Sequence, residues 1–504
     1  MSMSRRDFLR GVAASTFGLG VGASSTSAWA LQSGWGTYPV ASKGVELPVK
    51  MQAKRILDIH FEGGFSPWES FYTVPSASYG KNNKAMWWTF LNDPKGTAYW
   101  HDKCWGSGVP LHEPWLVDGA GTTVHLGPHI VPLRQRKDVL KRTRVLTMAH
   151  KLGVHELAVP LALTGQEFGS PRKAAMGAII QRHFHEKLGP SAVPYAYVVA
   201  EQARGSSIAS AWSVGLHEAS HRPLQVYIGM GQEFPALLAR QGLGGTEKLH
   251  DALLKHYVGQ YRQSLTPPGA KVAVRSPDFE GHATAATQLG NSAGIAKILK
   301  SSMFSAKSGN SCDFIKSKSL TRMQLELAVS ILQQPGGVAR YVQVVDRGYS
   351  PHPFGWDTHT DHARGSAITS HQFWSSLMPL INKPGEKNPA KIDLDDTLIC
   401  ISTEFGRSPL QQVGKGGRNH WPNGYVTAVM GGPVQSAQAG LVGHIDSSGI
   451  AVKPISPLHQ RAALLVAMGI WPFELESFDV GGVPGGSATK SAQWLREHVL
   501  GVPV

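Results

Sequence analysis

Three short stretches concentrate the residue types that could hold a metal or an anion. "GWDTHTDH" supplies Asp357, His359, Asp361 and His362, "TEFGR" supplies Glu404 and Arg407, and "GGRNHWP" supplies Arg418 and His420. A divalent cation needs deprotonated carboxylates and neutral imidazoles arriving from several loops. Mixed nitrogen and oxygen donors suit zinc, manganese or iron, and an oxygen-rich set suits magnesium or calcium. Arg407 and Arg418 are the candidate substrate-binding residues, because a guanidinium can grip two oxygens of a tetrahedral anion. Each stretch also has a plain structural reading. A D-x-H triplet in a Gly-rich loop forms Asx-type turns, Glu404 can pair with Arg407, and His420 is one of 22 histidines.

Such residues need a frame that brings their loops together. The apolar runs "RILDIHF" (55–61), "RVLTMAH" (144–150), "ARYVQVV" (339–345) and "DTLICIS" (396–402) predict strands. Most of the candidates follow directly after one of them. Further strands are expected at "YAYVVA", "QVYIGM" and "YVTAVMGG", and helices at "AAMGAIIQRHFHEKL", "AITSHQFWSSLMPLI" and "PLHQRAALLVAMGI". Residues 246–334 read as helical. Strands alternating with helices predict an α/β fold, a mostly parallel central sheet between helical layers. In such sheets ligands bind beyond the carboxyl ends of the strands. Residues 76–140, rich in Trp, Gly, Pro and Asn, read as an irregular insertion. Residues 31–54 read as an extended lead-in to a single domain over 55–504.

The chain has 504 residues and a 42% hydrophobic content, enough for a sizeable core. Residues 1–30 read as a signal peptide of the twin-arginine type. "SRRDFLR" (4–10) precedes a Gly/Ala-rich apolar run, and "AWA" (28–30) offers a cleavage site. The run is too short to span a bilayer, which takes about 20 apolar residues. The expected product is periplasmic or extracellular, starts near Leu31 and has no stable membrane span. The twin-arginine translocase is then a transient partner. The formal charge is +14, and three arginines against one aspartate in the signal leave +12 on the mature chain. That balance favours an anionic small molecule or a polyanionic glycan as partner. Nucleic acid is disfavoured, because no basic run with interleaved aromatics is present. Of the three cysteines, Cys400 lies in an apolar run and reads as core, while Cys104 and Cys312 could pair in an oxidising compartment.

"GWDTHTDH", "STEFGRSP" and "GGRNHWPNGY", in that order after "EGGFSPWESF" and "HELAVPLALTGQ", resemble the signature blocks of a twin-arginine-exported bacterial family, domain of unknown function 1501. That family is grouped with the sulfatase-like, alkaline phosphatase superfamily. The resemblance runs from about Arg55 to the C-terminus. It implies an alkaline-phosphatase-like sheet with divalent metal ligands at the strand ends. Asp357, His359, Glu404 and His420 match such positions, and Glu69 is the candidate ligand after the first strand. Phe405 stands where catalytic relatives carry histidine, which argues against a full two-metal site. No sulfatase-type Cys/Ser-x-Pro-x-Arg motif occurs. Ser66, Ser70 and Thr164 remain as hydroxyl nucleophiles, and His155 as a general acid/base or a substrate contact. Two functions are therefore expected: a metal-dependent hydrolase of phosphate or sulfate esters, or a catalytically inactive relative acting in binding or assembly at the cell surface. An oxidoreductase is disfavoured by the lack of a dinucleotide fingerprint.

Overall fold

The central strand shows why the sheet forms where the sequence predicts it. In β1 (Arg55–Phe61) six of seven residues are buried. Side chains along a strand alternate between faces. Leu57, Ile59 and Phe61 enter one core, and Ile56 enters the core on the opposite face. By the same alternation Asp58 and His60 lie on the face of Ile56, and both are fully buried. The computed structural model describes residues 34–75, 96–167, 173–189, 192–202, 223–227, 247–264, 312, 320–348, 355–412 and 416–504. The signal-peptide reading, the first part of the insertion and most of the helical stretch before 320 lie outside these residues.

After β1 come α1 (Thr97–Trp105), the hairpin β2 (Glu113–Val117) and β3 (Thr123–Leu126), and β4 (Thr143–Met148). α2 (His155–Thr164), α3 (Met176–Leu188), β5 (Tyr195–Glu201), β6 (Leu224–Tyr227) and α4 (Glu247–Ser264) follow. Then come α5 (Leu320–Leu332), β7 (Ala339–Asp346), α6 (His362–Leu377) and β8 (Thr397–Thr403). β9 (Gly406–Gln412), β10 (Gly417–Trp421), β11 (Tyr425–Gly431), β12 (Gly440–Val442) and α7 (Pro457–Ala467) complete the elements used below.

The eight-stranded sheet has the order β12-β4-β11-β8-β1-β7-β5-β6. β1 pairs in parallel with β7 and β8, and β5 in parallel with β6 and β7. β11 is antiparallel to β8 and β4, and β12 is parallel to β4. Every strand of this sheet except β11 thus points the same way, as the mostly parallel reading expects. Residues of α5 and α6 pack on one face, and residues of α2, α3 and α7 on the other. Burial on both faces explains the near-continuous apolar runs that made the strands legible.

Three local expectations are corrected. The part of the lead-in that is described is not extended. It forms 3-10 turns at Val40–Val45 and Val49–Met51 and is pinned where Tyr38 meets Trp471 edge-on at 5.0 Å. The described part of the insertion is regular, with α1 and the β2–β3 hairpin. The stretch around Arg407 and Arg418 is not loop but the antiparallel pair β9–β10.

Two features tie distant segments together. Cys104 at the end of α1 is bonded to Cys312 across 208 residues, beside Ala363, Ala367 and Ile368 of α6. Arg461 of α7 reaches Asp58 of β1 at 2.6 Å, both fully buried. Cys400 is free and buried. Among the described residues no helix is long and apolar enough to cross a membrane.

Candidate metal centre

The carboxyl ends of the neighbouring strands β7, β1 and β8, and of β4 beyond the reversed β11, meet above the sheet. β1 runs into Gly63–Gly64, β4 into the loop that starts α2 at His155, β7 into the Asp357 loop, and β8 into Glu404. The Asp357 loop is stitched to β10 by backbone bonds. The Arg418 N–H donates to the Thr358 carbonyl at 3.0 Å, and the His362 N–H to the Gly416 carbonyl at 2.9 Å. Gly63 and Gly64 have φ of +132° and +105°, and a Cβ on Gly63 would lie 2.4 Å from the Asp357 nitrogen. Only glycine lets β1 come this close.

His155, Asp357 and His420 converge, with donor atoms within 4.8 Å of one another. Their ring orientations follow from the outer bonds. His155 Nδ1 donates to Glu404 Oε1 at 2.8 Å, which leaves Nε2 facing Asp357 Oδ2 at 3.6 Å. His420 Nδ1 donates to the Gly153 carbonyl at 2.8 Å, which leaves its Nε2 facing Asp357 Oδ1 at 3.4 Å. His155 Nε2 is buried and faces the Asp357 carboxylate. His359 Nε2 joins the group, 2.9 Å from His420 Nε2 and 3.2 Å from Asp357 Oδ1. An imidazole whose outer N–H is held by a carboxylate or carbonyl is the usual support of a metal-binding histidine. The donor set, two inward imidazoles and one carboxylate, fits a divalent cation of the zinc or manganese type.

Charge points the same way. Burial alone would lower the His155 group, but hydrogen bonds and charges from Asp357 and Glu404 outweigh it and push it up to about 10. Burial would raise Asp357, yet bonds from His155 and His420 and the Arg407 charge hold it far below the carboxylate range. Glu404 is also lowered despite its burial, by the hydrogen bond from His155 and the charges of His60 and His155. Burial lowers the His359 group from its ordinary value, against the raising pull of Asp357. Two ionised carboxylates and one guanidinium therefore surround imidazoles that attract a positive charge. A metal entering would displace the proton on His155.

A family model described as "Protein of unknown function (DUF1501)" matches residues 53–476. The chain belongs to the DUF1501 family. No curated protein matches it.

In this DUF1501 chain two of the remaining candidates, Arg407 and Glu404, hold members of the centre, and the others lie elsewhere. Arg407 is fully buried and does not reach out as an anion clamp. Its guanidinium donates to Asp357 Oδ1, to the Gly63 carbonyl and, at 3.0 Å, to the Arg418 carbonyl. Arg418 is likewise buried and bonded at 2.6 Å to Glu69 Oε1. Both arginines are engaged by carboxylates, Arg407 by the partly buried Asp357 and Arg418 by the buried Glu69. Glu69 belongs to this second cluster and not to the His155 group. It also accepts from Ser66 Oγ, and lies 3.3 Å from His362 Nε2. Ser66 is buried there, and Ser70 Oγ donates to the Ser66 carbonyl. Thr164 Oγ1 donates to the Pro160 carbonyl at the end of α2. Glu404 is fully buried and holds His155, with Gly63 N–H donating to the same oxygen at 2.7 Å.

Sequence reasoning missed several parts. His60 Nε2 stands 3.5 Å from Glu404 Oε2. Its signal was an imidazole inside an apolar strand. Phe405 stacks on His420 with centroids 4.2 Å apart and leans on His155 at 4.9 Å. The phenyl ring thus walls both imidazoles at the place where a histidine was expected. The Gly153 carbonyl carries no sequence signal at all.

Proposed function

We propose that this chain is a metal-dependent hydrolase of phosphate or sulfate esters, exported by the twin-arginine pathway and built on an alkaline-phosphatase-like sheet. His155, Asp357 and His420 would hold one divalent cation, with His359 beside them and Glu404 behind His155. The observation that carries this reading is the convergence of His155, Asp357 and His420 at the strand ends, with the outer nitrogen of each ring held by Glu404 or the Gly153 carbonyl. A divalent cation there would polarise an ester oxygen and make a water nucleophilic near neutral pH. The chain's own residues do the positioning. Glu404 and the Gly153 carbonyl fix the rings, Arg407 fixes the Asp357 carboxylate, and Phe405 shields one side of both rings from water. The mature charge of +12 supports an anionic substrate, and the "SRRDFLR" and "AWA" stretches support export.

A second reading, a metal-stabilised binding or assembly protein without turnover, has its own support. Both arginines are engaged by carboxylates, and Ser66 and Thr164 are tied to other groups. Elemental analysis and calorimetric titration of zinc and manganese, with nitrophenyl phosphate and nitrophenyl sulfate assays, separate the two. His155→Ala and His420→Ala should each lower metal affinity at least about tenfold, as losing one of a few ligands does. Ester turnover that disappears in both variants supports the hydrolase. Metal binding without turnover moves the conclusion to the second reading. Metal content unaffected by either variant removes the centre.

A further inference from the structure

A cleft of about 850 Å³ lies beside the centre, between α2 and α7. Small-molecule sites span roughly 300–1,000 Å³. Its walls are Leu152, Leu161, Leu458 and Phe478, and its rim carries Lys151, Glu167, Lys173 and Asp479. The floor is rigid. Gly165 has φ +72°, and a Cβ there would lie 2.9 Å from Leu458 Cα and 3.1 Å from the Phe478 ring. The two helices therefore meet without a gap under the cleft.

The rim charges are not equivalent. Lys173 is neutralised by Asp479 at 2.7 Å. Lys151 is exposed and has no partner among the described residues. Glu167 follows α2 while Lys151 precedes it, and a helix of this length separates its ends by about 15 Å. One end of the cleft is thus cationic and the other repels anions. The cationic end is also the one next to the metal centre. His150 lines the cleft and bonds the Glu404 carbonyl through Nε2, and Gly153, two residues past Lys151, holds His420.

We infer that this cleft binds an amphipathic anion, with an apolar body of aromatic-ring size over Leu458 and Phe478 and one negative group at Lys151. The inference does not depend on ester hydrolysis. The test uses the mature protein in chelator, so that the metal centre plays no part. Two fluorescent probes share one aromatic body: anilinonaphthalene sulfonate carries a negative group, and phenylnaphthylamine does not. The sulfonate should fill one saturable site. Lys151→Glu should weaken it about fivefold to tenfold, the scale of a partly exposed ion pair turned repulsive. The neutral probe should be indifferent to that change. Leu458→Glu should weaken both probes, and thermal melts confirm that the variants fold. Lys151 is exposed, so its variant decides the matter even where Leu458→Glu does not fold. Sulfonate binding insensitive to Lys151→Glu, or no single saturable site in wild type, overturns the inference.

Discussion

Glu404 answers a question the sequence raises, why a carboxylate should sit at the end of an apolar strand. It is fully buried, yet His155 and the Gly63 N–H engage one of its oxygens and His60 approaches the other. Its part is to hold the His155 ring in one orientation. Glu404→Ala should therefore lower metal affinity about tenfold to a hundredfold without changing the number of sites, since it removes a supporting partner and not a ligand. Calorimetric titration measures both quantities. The Glu69–Arg418 pair behaves differently. Removing one member of a buried pair strands the other, so Arg418→Ala should cost about 3–5 kcal/mol in urea unfolding. Anion affinity should not change, because the guanidinium faces Glu69. At this scale the sequence was half legible. Asp357, His359, His420, His155 and Glu404 could be chosen as chemical types in loops after strands, and the structure gathers them. The fate of the arginines was hidden, because their carboxylate partners lie 50 and 349 residues away.

At the scale of elements, β1, β4, β5, β7 and β8 were readable because strands buried on both faces must be apolar throughout. The β9–β10 hairpin was not. Its residues are polar and Gly-rich, and what makes them strands is their mutual pairing and the backbone bonds to the Asp357 loop. α2 was masked by Pro160, which sits inside it. The Gly63–Gly64 turn after β1 offers a sharp test. A methyl group on Gly63 would meet the Asp357 nitrogen at 2.4 Å and would be strained at φ +132°. Gly63→Ala should destabilise by about 1–3 kcal/mol. It should also weaken metal binding, because the same backbone N–H holds Glu404. Gly44→Ala, with nothing within 4 Å of the added carbon, is the control. Thermal melts and metal titration of the two variants should diverge.

For the whole molecule, the Cys104–Cys312 bond closes a loop of 208 residues. Removing it should cost about 2–5 kcal/mol, mostly by freeing the unfolded chain. Urea curves of wild type and Cys104→Ser, each with and without reductant, should show the loss in the variant and in reduced wild type alike. Acid should weaken the fold for a separate reason. Burial lowers both His183 and His371 from 6.5 to about 4. Between those values the unfolded chain binds protons that the folded chain refuses, so stability present above pH 6.5 is lost as pH falls toward 4. The urea midpoint should drop from pH 7 to pH 5, and drop less in His183→Gln. The reversed strand β11 has a consequence of its own. It takes the chain back into the sheet directly after β9 and β10, so the segment carrying Arg407, Arg418 and His420 is sewn down at both feet, by β8 and by β11. Such a segment cannot swing open like a lid. The paired amide hydrogens of β9 and β10 should exchange with deuterium only when the sheet itself parts, at the slow rate of the central strands, although the segment looks like surface loop.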